Sequence, residues 1–297
     1  PPDSSQKNAQ TEAPELPGDP REVAVDGVRL HYVDQGSGQP MVLVHGTLQD
    51  YTGWLPHVEV FDDWYRVIAY SRRHAWPNEN TEASPDYSAR QDAQDLAGLI
   101  EALELGRVHL VGLSYGALTS LIVAIERPDL VRTLVLAEPP INPEALGLPA
   151  LPAREKFPRY AELMQQGQAR TAVEQFFSEV VGRERMQQIP EAAWKQVMLN
   201  VREFRALVNS SQPFPPVRPG ELAEIRLPVL TILGAAGVGT HHETFNDALV
   251  RHIPGAEAVT IPEATHLMWY EQPDLTRRAV LDFLDRWATD GPSGDDQ

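Results

Sequence analysis

The chain contains no cysteine. That absence excludes disulfide frameworks, thiol nucleophiles and thiolate metal sites, and it leaves the redox compartment open. No apolar run approaches the ~18 residues of a membrane span, so a soluble body with no membrane partner is expected. Positive charge is scarce: 25 Lys and Arg stand against 42 Asp and Glu, a formal net charge of −17. The pI is near 4.9. A surface of that sign repels nucleic acid and anionic bilayers alike. Part of the acidity lies towards the ends, at Glu12, Glu15, Asp19, Asp290, Asp295 and Asp296, where it serves solubility rather than a directed field. An initiating methionine is also lacking. The opening "PPDSSQKNAQ" fits a mature product whose signal peptide is gone, and export to the periplasm or medium is the expectation; a trimmed end would read the same.

What is present is enough apolar sequence, 42% of 297 residues, to bury a large core as one domain with an insertion. Residues 1–20 are polar, proline-rich and aperiodic, and are expected to be a disordered tail, as are residues 289–297. Between the tails, β-rich runs alternate with helical patterns. "REVAVDG" and "VRLHYVDQG" predict an antiparallel hairpin turning at Asp26-Gly27. "MVLVHG", "YRVIAYS", "RVHLVGLS", "VRTLVLAE", "LPVLTILG" and "AEAVTIPEA" are near-continuous apolar runs, as strands covered on both faces require. Ala93, Leu96, Ala97, Ile100 and Leu103 repeat at the spacing of one buried helical face. The alternation predicts an α/β fold with a doubly wound, mostly parallel sheet of eight strands.

One interval breaks the rhythm. Residues 139–226 carry helical stripes (Val173, Phe176, Phe177 and Val180; Trp194, Val197, Met198, Val201 and Phe204) and no convincing strand. A connection that long needs its own structure. A helical cap between strands 6 and 7 is expected, leaving residues 21–138 and 227–288 as the core. No internal repeat is evident.

At residues 112–116, Gly112-Leu113-Ser114-Tyr115-Gly116 puts a serine between two glycines where a strand passes into a helix. This is the G-x-S-x-G nucleophile elbow. Such a turn lifts the hydroxyl out of the backbone and brings neighbouring chain too close for side chains two residues either side. The pattern alone arises by chance in roughly one chain in ten of this size. Two further motifs sharpen it: "VLVHGT" at 42–47 and "IPEATHLMWYEQP" at 261–273. Together, and in this order, the three resemble the α/β-hydrolase superfamily over about residues 22–288. The resemblance implies an oxyanion loop after strand 3 and a histidine-bearing loop after strand 8.

On that resemblance Ser114 is the candidate nucleophile and His266 the base that takes its proton. The amides of Thr47 and Tyr115 are the candidate oxyanion hole. The commonest family pattern places an aspartate after strand 7. Here that stretch is Gly234-Ala235-Ala236-Gly237, without an acid, and Glu243 and Asp247 fall in the helix beyond. Strand 6, however, ends "LVLAEPP", which puts Glu138 at its C-terminal edge. Some members, certain lactonases among them, use an acid there, so Glu138 is the candidate; the bland alternative is a structural Glu138 with the acid supplied elsewhere or missing.

Other residues are weighed the same way. Arg72, Arg73, His74 and Trp76 should lie near the rim of the site, either receiving a polar substrate group or, more commonly for arginines, paired with local carboxylates. His45 should brace its loop. His241-His242-Glu243 matches no metal-ligand spacing and adjacent side chains diverge, so no metal site is expected, although a place near His266 remains open. Trp269, Trp194, Phe176 and Phe177 are candidates to line an apolar acyl pocket, against the plainer role of burying the cap. The resemblance therefore implies a cofactor-free serine hydrolase for a small-molecule ester or lactone. A dehalogenase would carry aspartate where this chain has Ser114. A hydroxynitrile-lyase-like enzyme and a non-catalytic ligand-binding protein remain the alternatives. The oligomeric state is not legible.

Overall fold

The computed structural model describes residues 16–80, 85–148, 155–237 and 240–287. The expected C-terminal tail lies outside the described residues, as does the N-terminal one up to residue 15. Residues 16–20 differ from the expectation of disorder. The Pro17 carbonyl accepts the Tyr51 hydroxyl at 2.7 Å, and Gly18 sits against Leu55.

Strands β1 (Arg21–Val25) and β2 (Val28–Gln35) form the antiparallel hairpin. Asp26 and Gly27 both take positive φ, 42° and 84°, as a tight turn between right-twisted strands demands. Then come β3 (Gln39–Val44), α1 (Leu55–Phe61), β4 (Tyr65–Tyr70), α2 (Ala89–Ala102), β5 (Val108–Leu113), α3 (Tyr115–Glu126) and β6 (Val131–Ala137). The eight-stranded sheet has the order β1-β2-β4-β3-β5-β6-β7-β8, with β7 at Val229–Gly234 and β8 at Glu257–Ile261. The pairings from β4 through β3 to β8 are parallel, while β2 meets β4 antiparallel.

Side-chain alternation divides the core into two layers. Val42 and Val44 join the cluster under α2 and α3, whereas Met41 and Leu43 join the cluster under α1. Every residue of β5 and of β7 is buried, which is why both strands read as unbroken apolar runs. Ala93, Leu96, Ala97 and Ile100 of α2 form its buried face, with Leu103 packed beside it.

Between β6 and β7 lie six α-helices and no strand among the described residues. They are α4 (Phe157–Gln165), α5 (Ala169–Val181), α6 (Arg183–Gln188), α7 (Glu191–Leu199), α8 (Val201–Asn209) and α9 (Pro219–Ala223). Their apolar faces merge with the α2/α3 side of the core through Phe157, Tyr160 and Phe204, joined by Phe214 of the α8–α9 connection. The chain finishes with α10 (His241–His252), α11 (Met268–Glu271) and α12 (Pro273–Asp285) around β8. No helix among the described residues is long and apolar enough to cross a membrane.

Candidate active site

Ser114 follows β5 directly and holds φ 52°, ψ −122°, a conformation that costs a non-glycine residue on the order of 1–3 kcal/mol. The surroundings enforce it. Its amide donates to the Ala137 carbonyl at 2.8 Å, and the Ala117 and Leu118 amides both donate to its carbonyl. A Cβ on Gly112 would stand 2.6 Å from the Ala117 Cα, and one on Gly116 would stand 2.2 Å from the Val44 carbonyl oxygen. Both flanking glycines are therefore steric necessities. Tyr115 opens α3, so its N–H has no partner within the helix.

Glu138 sits one residue past β6, also at positive φ (46°). Its carboxylate is buried and fully engaged. Oε1 accepts the Gly234 amide at 2.8 Å, and Oε2 accepts Nδ1–H of His266 at 2.5 Å. Burial pushes this carboxyl up, but the hydrogen bond and charge of His266, with His242 and the Gly234 amide, bring it net below its ordinary value. Small residues after β7 make room for this arrangement. A Cβ on Gly234 would meet the Thr265 carbonyl at 2.4 Å, and one on Gly237 would lie 3.2 Å from Glu138 Oε1. The stretch without an acid is thus the stretch over which a neighbouring strand's acid reaches.

The candidate oxyanion loop is held from beneath. His45 Nδ1–H donates to the Gly46 carbonyl at 2.8 Å, and its Nε2 accepts the Arg72 amide at 2.9 Å. Burial and the Arg72 charge keep this imidazole neutral. Arg72 does not lie at the rim. It is 1% exposed, paired with Asp92 and Glu203 at 2.6 Å each, and it donates to the carbonyls of His45 and Gly46. Arg73 pairs with Asp95, His74 packs edge-on to Tyr87, and Trp76 stacks on Tyr51. Glu203, on α8, carries no motif that marks it in the sequence. Its signal is a lone carboxylate at an apolar position, since Glu203, Ala206 and Leu207 repeat at i, i+3, i+4 and all are buried.

Two small cavities meet Ser114 and His266. One, of about 30 Å³, is lined by Thr47, Gln49, Leu113, Phe176 and Phe177 among others. The second, about 60 Å³, adds Glu138, Phe157, His241 and His242. Thr47, Phe176 and Phe177 are thus placed at the candidate nucleophile. The two tryptophans are not. Trp269 is 1% exposed in the α1-side core, edge-on to Trp54 at 4.8 Å, and Trp194 packs on Phe177 and under the Arg170 guanidinium. Both rings are large enough that core packing claims them. A far larger hollow, about 670 Å³, lies at the other end of the strands against Arg107, Arg132 and Trp287, remote from Ser114.

His241 and His242 depart from the expected divergence: their ring centroids lie 4.1 Å apart at 36°. Both fall in the first turn of α10, where no preceding helical turn forces them apart. The His242 ring also stacks on His266 at 5.0 Å, and its Nδ1 lies 3.3 Å from Glu138 Oε2. Burial, then the charge of His266, lowers the His242 pKa to about 3.

The chain resembles known proteins. A 2-(acetamidomethylene)succinate hydrolase of Mesorhizobium japonicum is 26% identical over 283 residues, 89% of this chain and 95% of the relative. An (E)-2-((N-methylformamido)methylene)succinate hydrolase of Acinetobacter baylyi is 36% identical over 107 residues, which span only 36% of this chain and 40% of that protein. The enol-lactonase of Burkholderia xenovorans superposes with a TM-score of 0.73 at 22% identity, over 89% of this chain and 100% of the lactonase, a likeness of fold. The model of the Alpha/beta hydrolase family matches residues 41–279. With most of its length under that match, the chain belongs to the alpha/beta hydrolase family.

Proposed function

We propose that this hydrolase cleaves a carboxylic ester or lactone through an acyl-enzyme on Ser114. His266 takes the serine proton on Nε2 as the hydroxyl attacks the carbonyl carbon. It returns that proton to the leaving alcohol, then activates the water that releases the acid. Glu138 holds the imidazole with its proton on Nδ1 and stabilises the imidazolium. The N–H groups of Thr47 and Tyr115 receive the oxyanion. The observation that carries the reading is the 2.5 Å contact between His266 Nδ1 and Glu138 Oε2, which supplies the missing acid from β6.

The substrate reading follows from the cavity walls. Phe157, Phe176, Phe177, Val180 and Leu207 are apolar, and no lysine or arginine lines either cavity among the described residues. Such walls suit an uncharged acyl chain better than the succinate dianions named for the two relatives, because a buried carboxylate needs a cationic partner. The test is fluorophosphonate labelling read by intact mass and peptide mapping, beside Ser114→Ala. A stoichiometric adduct on Ser114 is the expected result. A folded protein that takes no adduct, even from a small phosphonate, would overturn the serine mechanism and favour a ligand-binding protein.

A further inference from the structure

The His242 imidazole is unused by the mechanism above, yet it is aimed at that mechanism's acid. Glu138, His242 and His266 each present one ligand-type atom within 4.8 Å of the others. They come from three separate places in the chain: the end of β6, the first turn of α10 and the loop after β8. Two imidazoles and a carboxylate around one point form the donor set that borderline divalent cations take, with a fourth position left to water.

We propose that Glu138, His242 and His266 form a binding site for a divalent transition cation of the Zn²⁺ type, and that its occupancy switches off hydrolysis at Ser114. The geometry is close to ready. With metal–ligand bonds of ~2.0–2.2 Å, neighbouring ligand atoms of a tetrahedral site stand roughly 3.3–3.5 Å apart. Glu138 Oε2 and His242 Nδ1 already lie 3.3 Å apart. The Glu138 Oε2 to His266 Nδ1 contact, at 2.5 Å, must open by about 1 Å, a small rotation of either side chain. The 60 Å³ cavity shared by all three residues gives water, as the fourth ligand, a place to sit.

Inhibition rests on the reading of His266 as base. A cation on Nδ1 needs that nitrogen's lone pair. The Nδ1 proton leaves to solvent, and the neutral ring takes one proton back on Nε2. No electron changes hands and the net proton count is unchanged. Nε2–H then has no lone pair with which to accept the Ser114 proton.

Binding and turnover are measured separately, so failure of either reading is distinguishable. Zn²⁺ is titrated calorimetrically into the metal-free full chain, into His242→Phe and into His241→Phe. Binding near 1:1 is expected, weakened at least tenfold in His242→Phe and little changed in His241→Phe. Co²⁺ added to the unaltered protein should develop the intense visible absorption of a tetrahedral site, a readout independent of any variant's folding. Ester turnover of the metal-free protein should fall along the same Zn²⁺ titration and return with chelator. Absence of binding, equal binding by His242→Phe, or loss confined to His241→Phe would overturn the site. Zn²⁺ bound at His242 with turnover intact would overturn the inhibition.

Discussion

The Glu203 carboxylate, on cap helix α8, accepts the backbone N–H of Leu48 at 2.8 Å. Leu48 follows Thr47 in the candidate oxyanion loop and holds φ 61°, so the cap pins a strained residue beside the candidate oxyanion donor. The second Glu203 oxygen binds Arg72, which in turn holds the Gly46 carbonyl. A cap residue and a core residue thus fix the same short loop.

Removing Glu203 should therefore damage fold and chemistry together. Glu203→Ala leaves the buried Arg72 with one carboxylate fewer, a loss of about 3–5 kcal/mol by analogy with broken buried pairs. The expected outcome is a strongly lowered melting temperature. In the surviving folded fraction kcat should fall while labelling of Ser114 persists at a reduced rate. Unchanged ester kinetics in Glu203→Gln, which preserves one hydrogen bond, and in Glu203→Ala would separate the clamp from the chemistry.

Glu138→Gln should cut kcat by about 10³–10⁴, because the orienting charge is lost and the wrong tautomer of His266 is favoured. It also makes a pH prediction. The folded carboxyl lies below its ordinary value of 4.5, so its contribution to stability is complete above that pH and is lost as pH falls through the folded value. The melting-temperature gap between the native protein and Glu138→Gln should be flat above pH 4.5 and close below it. A gap that widens on acidification would contradict the assignment.

Acid should weaken the fold through its buried histidines. Burial lowers His57 and His109 to about 4 and His242 to about 3, from 6.5. Between those values the unfolded chain binds a proton on each ring and the folded protein does not. Stability therefore falls as pH drops below 6.5, by up to ~1.4 kcal/mol per pH unit for each histidine. Urea midpoints at pH 7, 6 and 5 measure it. Replacing His57 with Phe should flatten the slope by about one proton's worth.

Phe176 lines both cavities and packs on Phe204 at 5.0 Å. Phe176→Ala should raise kcat/KM for long acyl esters relative to acetate, since the freed volume extends the acyl wall. A chain-length series of p-nitrophenyl esters reads it directly. A uniform drop across the series would assign Phe176 to cap packing alone.

Sequence patterns were informative where one local rule acts alone. The Asp26-Gly27 turn, the unbroken apolar runs of β5 and β7, and the glycines beside Ser114 each answer to a single steric or solvation demand. The place of Glu138 was legible by contrast, from an acid absent after β7 and present after β6. Arg72 lies inside rather than at the rim because its partners, Asp92 and Glu203, reach it from 20 and 131 residues away. Nothing in the spacing brings those three together. Trp269, three residues after His266, points into the α1-side core layer. Its ring direction is set by Trp54 and His57, which one-dimensional proximity does not report.

The amide of Ser114 is hydrogen-bonded to the carbonyl of Ala137, the residue just before Glu138. Candidate nucleophile and candidate acid therefore leave neighbouring strands at one rung of the ladder, across the ~4.8 Å spacing that adjacent strands impose. The chain leaves for the cap only after that rung, through Pro139 and Pro140. Evolutionary traffic in the cap, by insertion, deletion or exchange of whole helices, can then reshape what enters the cavity while the ruler that spaces the chemistry stays fixed.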